Sequence, residues 1–145
     1  MDYQSAFAIS AAGMTAEKLR VDVAALNLAN ANSPLSANGA GYQPLRVQAS
    51  VRAVPGARSF EALVDQGMAA AQTLSVAPYR APVRRVYEPG HPQANKEGFV
   101  SYPGVDSLTE MMTLMVASRA YEADVAAFNA AKTMAMKALE IGGRS

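Results

Sequence analysis

The first thirty residues carry apolar or small side chains at helical spacing. Steps of three and four residues connect one stripe, which consists of Ile9, Ala12, Ala16, Leu19, Val23, Leu26 and, at its end, Asn30. A second stripe recurs every seven residues on another side, at Phe7, Met14, Val21 and Leu28. This heptad spacing predicts one long helix over about residues 3–32, which Pro34 ends. Apolar residues on most sides of a helix indicate burial on most sides.

The last forty residues show the same periodicity and predict a second long helix over about residues 106–141. Its stripe is Met111, Leu114, Ser118, Tyr121, Val125, Phe128, Lys132, Ala135 and Leu139. Asp106 or Ser107 can cap it, and Glu110 follows Ser107 at capping-box spacing. Gly142 and Gly143 supply the stop. The helix is rich in Met, which tolerates several packing partners or fills an ordinary core.

The segment between the helices has strand and turn patterns instead. LRVQASVRA (45–53) alternates apolar and polar residues, and TLSVA, PVRRVY and GFVSY read as short strands separated by Pro and Gly. Residues 60–72 predict either a short helix, with Ser59 as its N-cap, or a strand. The expected fold is therefore mainly α, with two long terminal helices packed as a coiled coil around a short Pro/Gly-rich β module. The expected units are residues 1–33, 34–105 and 106–145.

This layout leaves apolar surface without a partner, because two paired helices bury only one seam. Extended apolar surface of this kind marks a protein–protein interface. Asn27, Asn30 and Asn129 lie beside the stripes, either as exposed polar residues or as buried residues that fix the register of helix pairing. Glu122, Lys132 and Arg119 are candidate salt-bridge partners that would select alignment more than add stability.

Composition narrows the function classes further. The net charge of +1 lacks the basic excess expected of a nucleic-acid binder. The chain has no Cys, so a disulfide or thiolate metal site is impossible, and clustered metal-ligand spacing is absent. We expect no cofactor, no membrane span and no cleaved signal peptide. The single His, His91, has no recognisable nucleophile partner, so we expect it to fix a tight turn rather than catalyse a reaction.

Three segments resemble a known family. LRVDVAALNLANANSP (19–34) looks like the N-terminal signature of flagellar axial proteins, the rod and hook family. VYEPGHPQANKEGFVSYPGVD (86–106) and EMMTLMVASRAYEADVAAFNAAKTMAMKALEIG (110–142) are similar to the proximal rod members. The match is weakest over residues 54–78.

The resemblance implies a structural, non-enzymatic subunit of a hollow, torque-transmitting shaft, with the terminal helices forming the inner coiled-coil layer. It implies export by the flagellar type III apparatus without signal cleavage and assembly in the periplasm. The implied partners are the other proximal rod proteins, the distal rod protein, the ring–rod junction protein and further copies of the chain.

Together these patterns predict two contact regions. Inner contacts are expected at Leu19, Val23, Leu26, Asn27, Asn30, Met115, Tyr121, Val125, Phe128 and Asn129. An outer contact loop is expected at Pro89, Gly90, His91, Pro92 and Asn95. The terminal helices should be partly disordered before assembly. The alternative is a soluble helical adaptor or chaperone that binds one partner through its Met-rich C-terminal helix and has well-folded termini.

Overall fold

Two long helices frame a small β region. The computed structural model describes residues 3–36, 39–50 and 73–143. The elements are α1 (Tyr3–Asn30), β1 (Leu45–Ser50), β2 (Thr73–Pro78), β3 (Arg84–Tyr87), β4 (Phe99–Tyr102) and α2 (Ser107–Gly142). The predicted mainly helical fold with a β insert is thus confirmed. The predicted helix over 60–72, and the end of the first predicted strand, lie outside the described residues.

The α2 helix begins at a side-chain cap. Asp106 is the N-cap: its carboxylate accepts hydrogen bonds from the Leu108 N–H (3.1 Å) and the Thr109 hydroxyl (2.6 Å). These bonds, that of Thr109 first, lower the pKa of Asp106. The predicted capping box from Ser107 to Glu110 is wrong, because Asp106 is the N-cap and the Glu110 carboxylate accepts a hydrogen bond from Asn27 instead.

The helix ends lie close to the predicted ones. The α1 helix stops two residues earlier, at Asn30, and two turn bonds follow it, from Ala31 N–H to Leu28 O and from Ser33 N–H to Asn30 O. The α2 helix continues to Gly142 and is closed by the Gly143 N–H, which donates to Leu139 O at 2.9 Å.

The two helices run antiparallel. Near the start of α1, the Phe7 ring packs on Phe128, with centroids 5.0 Å apart. Near its end, the Asn27 amide contacts Glu110 in the first turn of α2. Since α1 has 28 residues and α2 has 36, the last two turns of α2 extend past Tyr3.

Small side chains form the seam between the helices. Ala24, Ala117 and Ala131 are buried there. A Cβ atom on Gly13 would lie 2.5 Å from the Asp124 carboxylate, so only glycine allows this approach without a shift. Phe7 and Phe128 also pack across the pair near the start of α1, whereas many larger apolar side chains of the helices, such as Ile9 and Leu26, are exposed.

The β insert consists of two antiparallel pairs. Strands β1 and β2 pair from Leu45 opposite Pro78 to Ser50 opposite Thr73, and β3 and β4 form a hairpin. Between α1 and the insert, the Leu35 N–H donates to Ser101 O at 2.7 Å. The buried apolar residues cluster where the end of α1, β4 and the start of α2 meet, at Val23, Ala31, Leu35, Val100, Tyr102 and Val105. This junction is the core that positions the helices against the insert.

Candidate functional site

The first half of α2 presents an apolar stripe to solvent. Its side chains are 53–69% exposed and belong to Leu108, Met111, Met112, Met115 and Val116. Their spacing of i, i+3, i+4, i+7 and i+8 is that of a helix face that packs against a core. The side that faces α1 is a different one, marked by buried Ala117 and Ala131. The α2 helix therefore has one covered face and one apolar face that nothing in the described residues covers.

The C-terminal end of α2 adds a second apolar region. Met134, Met136, Leu139 and Ile141 are all more than half exposed, and Leu139 and Ile141 reach 76% and 77%. Most of this region lies on the turns that extend past the start of α1. We call residues 134–142 the overhang.

The residues predicted as inner contacts differ in how far their side chains are buried. Val23 and Asn27 are buried inside the chain at the junction. Leu19, Asn30, Val125 and Phe128 are half-buried. Leu26, Met115, Tyr121 and Asn129 are exposed. Their role as contacts between subunits stays a prediction, and for the two buried residues any such role acts through the chain's own packing.

Asn27 connects the elements of the junction through all four of its hydrogen-bonding positions. Its Nδ2 donates to Leu45 O (2.9 Å) and Glu110 Oε1 (3.1 Å). Its Oδ1 accepts from the Leu45 N–H (2.9 Å) and the Tyr42 hydroxyl (2.7 Å). With 1% of its surface exposed, Asn27 is a satisfied buried amide that joins α1 to α2 and β1. Asn30, by contrast, donates to Leu26 O of its own helix.

The electrostatics of this junction favour neutral groups. Burial raises the pKa of Glu110, and the hydrogen bond from Asn27 and the charge of Arg46 oppose that rise. Burial also raises the pKa of Tyr42, with a further contribution from the nearby Glu110 carboxylate. The junction is a structural polar cluster, in which each group has a hydrogen-bond partner.

The predicted outer loop connects β3 to β4 and is built on its own hydrogen bonds. His91 Nδ1 accepts from the Gln93 N–H at 3.1 Å, so the ring fixes the turn as expected. The Asn95 side-chain oxygen accepts from the N–H groups of Glu97 (3.1 Å) and Phe99 (2.8 Å). His91 is half-buried, while Pro89, Gly90, Pro92 and Asn95 are exposed. The loop is available for contact, although a contact there stays a prediction.

Glycine is required where this loop returns to β4. Gly98 has φ +83°, and a Cβ atom there would lie 2.8 Å from the Tyr87 ring. That ring forms an edge-to-face pair with Phe99 at 5.3 Å. The loop is thus anchored at its base by an aromatic pair.

Within residues 3–36, 39–50 and 73–143, no group of three or more His, Cys, Asp or Glu side chains could hold a metal ion. Neither α1 nor α2, as described, combines the length and apolar character that crossing a bilayer requires.

Comparisons with known proteins agree over most of the chain. Residues 96–141 match the family described as flagellar basal body rod FlgEFG protein C-terminal. The flagellar basal-body rod protein FlgC of Escherichia coli is 38% identical over 136 residues, covering 94% of this chain and 95% of the relative. FlgC of Bacillus subtilis is 36% identical over 143 residues, and FlgC of Borreliella burgdorferi is 30% identical over 150. These two alignments cover 92% and 94% of this chain, and 94% and 95% of the relatives.

Proposed function

Because this chain belongs to the FlgC family of flagellar basal-body rod proteins, we propose that it is a structural subunit of the proximal rod. In this role it joins copies of itself and other rod proteins into a hollow shaft that transmits torque. The observation that carries the proposal is the exposed stripe of α2, from Leu108 to Val116, which has the spacing of a buried face but no cover from the described residues.

In the proposed shaft, neighbouring subunits cover that stripe. The antiparallel pair of α1 and α2 forms a coiled-coil unit, and the stripe becomes a second seam against another helix. Met side chains suit this position because they adapt to unlike neighbours, which a shaft built of several rod proteins presents. Burial of several half-exposed side chains per subunit supplies the driving force for incorporation.

Incorporation also completes folding. The halves of α1 and α2 that lie away from the junction have little core of their own, so we expect them to be partly disordered in a free subunit. Ordering them on incorporation couples folding to binding. This fits export of an unfolded subunit through the flagellar type III apparatus, without signal cleavage, and assembly in the periplasm between the membrane-embedded ring and the distal rod. The loop from Pro89 to Asn95 would contact adjacent subunits on the outside.

The test is complementation of a bacterium that lacks its own proximal-rod subunit of this family. We expect this chain to restore motility and to be recovered in isolated basal bodies. Met115→Lys should abolish both, because it places a charge in the proposed seam, whereas Met115→Leu should leave both intact. The two variants have similar helix propensity, so the comparison isolates the seam.

The same experiment separates the rod subunit from an adaptor or chaperone. An adaptor would also use the Met-rich face of α2, but it would not be found in washed basal bodies at a fixed ratio to other rod proteins. Absence of the parent chain from basal bodies in motile complemented cells would refute the structural role.

A further inference from the structure

A groove runs beside the exposed stripe, between the two helices. Its volume is about 420 Å³, and its lining includes Glu17 and Arg20 of α1 and residues from Thr109 to Ala117 of α2, among them Met112, Thr113 and Val116. Met112 and Val116 therefore belong both to the groove and to the stripe. The groove is mainly apolar, and its one carboxylate lies on α1.

That carboxylate has an unused acceptor. Glu17 Oε1 accepts from Arg20 Nη1 at 2.9 Å, and the Glu17 side chain is only 14% exposed. Its second oxygen, Oε2, is buried and has no hydrogen-bond partner among the described residues. A buried acceptor without a partner loses its hydration and gains nothing in return. Because Glu17 lines the groove, a cationic donor from outside the chain would satisfy this oxygen once the carboxylate turns toward the groove.

The overhang of α2 carries such a donor within an apolar face. Met134, Lys137, Ala138 and Ile141 follow the spacing i, i+3, i+4 and i+7, so they share one side of the helix. All four are exposed. Lys137 thus lies in the middle of a short apolar face, as Glu17 lies beside Met112 and Val116 in the groove.

We propose that the overhang of one copy docks in the groove of a second copy, where Lys137 donates to Oε2 of Glu17. This inference rests on the proposed function, since it specifies one contact within the shaft. The lengths agree: Met134 to Ile141 spans about 10 Å of helix, and the α2 lining of the groove, from Thr109 to Ala117, spans about 12 Å. The apolar side chains are complementary at both surfaces, and the charge match is local: Arg20 already pairs with Oε1 of Glu17, and Lys137 would pair with Oε2.

One chain cannot make this contact with itself. Gly13 lies opposite Asp124, so in the antiparallel pair Glu17 lies opposite Ala120. Lys137 is 17 residues farther along α2, about 25 Å away. The contact must therefore join two copies through unlike surfaces. Two isolated copies can exchange overhangs as a reciprocal dimer, whereas in the proposed shaft the contact runs from each copy to the next, as a ring or a helical series.

Cysteine cross-linking tests the contact directly, because the chain contains no Cys of its own. A Glu17→Cys, Lys137→Cys double variant should form disulfide-linked ladders of chains in basal bodies, since each copy carries both surfaces. Glu17→Cys combined with Lys96→Cys is the matched control, because Lys96 lies in the β3–β4 loop. It should give no ladder.

Exchanging the charges of Glu17 and Lys137 provides a second test of the contact. Lys137→Glu should lower incorporation at least tenfold in competition with the parent chain, and adding Glu17→Lys should restore most of it. Incorporation of the double-Cys variant without ladders, or a charge exchange that fails to rescue, would overturn the proposed contact while leaving the rod function in place. Failure of the parent chain to enter basal bodies would instead refute the rod function itself.

Discussion

Removing the Asn27 side chain should weaken the contacts that α1 makes with α2 and with the β insert. Asn27→Ala leaves both backbone groups of Leu45, the Tyr42 hydroxyl and the Glu110 carboxylate without their amide partner. Each buried polar group that loses its partner costs about 1–3 kcal/mol. Because Leu45, Tyr42 and Glu110 are only half-buried, water can replace part of the loss. We expect the free energy of unfolding to fall by about 2–4 kcal/mol.

Asn27→Asp removes the same donors without creating a cavity. Asp keeps an oxygen for the Leu45 N–H and the Tyr42 hydroxyl, but it turns a second oxygen toward Leu45 O and the Glu110 carboxylate. Its effect should therefore be at least as large as that of Ala at neutral pH. The matched control is Asn30→Ala, which loses a bond to Leu26 O in its own helix and should change stability by about 0.5 kcal/mol or less.

Chemical denaturation of the isolated chain, followed by hydrogen exchange at the Leu45 amide, measures these effects. The exchange readout matters because it reports the contact between α1 and β1 rather than total helix content. If Asn27→Ala and Asn30→Ala were equally mild, and the Leu45 amide stayed protected in both, the assignment of Asn27 as the junction residue would be wrong.

Three further outcomes follow from the junction and the loop. Burial raises the pKa of Glu110, so its protonated form favours the fold and that stabilisation is lost as pH rises above the ordinary value. Glu110→Gln should therefore raise Tm at pH 7, and the gain should shrink as pH falls toward about 4.5 and vanish below it. Gly98→Ala should destabilise the β3–β4 loop by about 1–3 kcal/mol, seen as faster hydrogen exchange at Phe99, because φ is +83° and the Tyr87 ring blocks a Cβ atom. His91→Gln should leave incorporation and motility nearly unchanged in the complementation assay, because the ring only accepts a turn bond; loss of both would indicate a larger role.

Periodicity made the elements predictable. Apolar steps of three and four residues continue over most of α1 and α2, so both helices could be placed to within about two residues. The alternation in LRVQAS and the Pro and Gly residues around the other strands likewise located the β insert. These signals are local, and they hold because each segment repeats its pattern several times.

The same signals did not predict which faces of α1 and α2 pack against each other. Large apolar residues such as Ile9 and Leu26 marked the expected seam, yet they are 62% and 49% exposed. The seam instead uses Gly13, Ala24 and Ala117, because small side chains let the helices approach closely. A pattern that weights hydrophobic size assigns little importance to such positions.

The partners of Asn27 were also beyond sequence reasoning. Its position in an apolar helix indicated a buried polar role, but Tyr42, Leu45 and Glu110 are 15, 18 and 83 residues away. The capping-box motif is local and predicts a partner for Glu110 within α2, whereas the actual partner of Glu110 lies on α1. Contacts of this range depend on the tertiary fold, which a local motif does not encode.

Hydrogen exchange compared between the free chain and the chain in basal bodies tests the central claim most directly. We predict that in the free chain residues 3–16 of α1 and 124–142 of α2 exchange rapidly, while the β3–β4 hairpin and the junction around Asn27 are protected. In basal bodies both helices should be protected along their whole length. Full protection of both helices in a free monomer would contradict the account, because such a chain would have no folding left to complete on assembly.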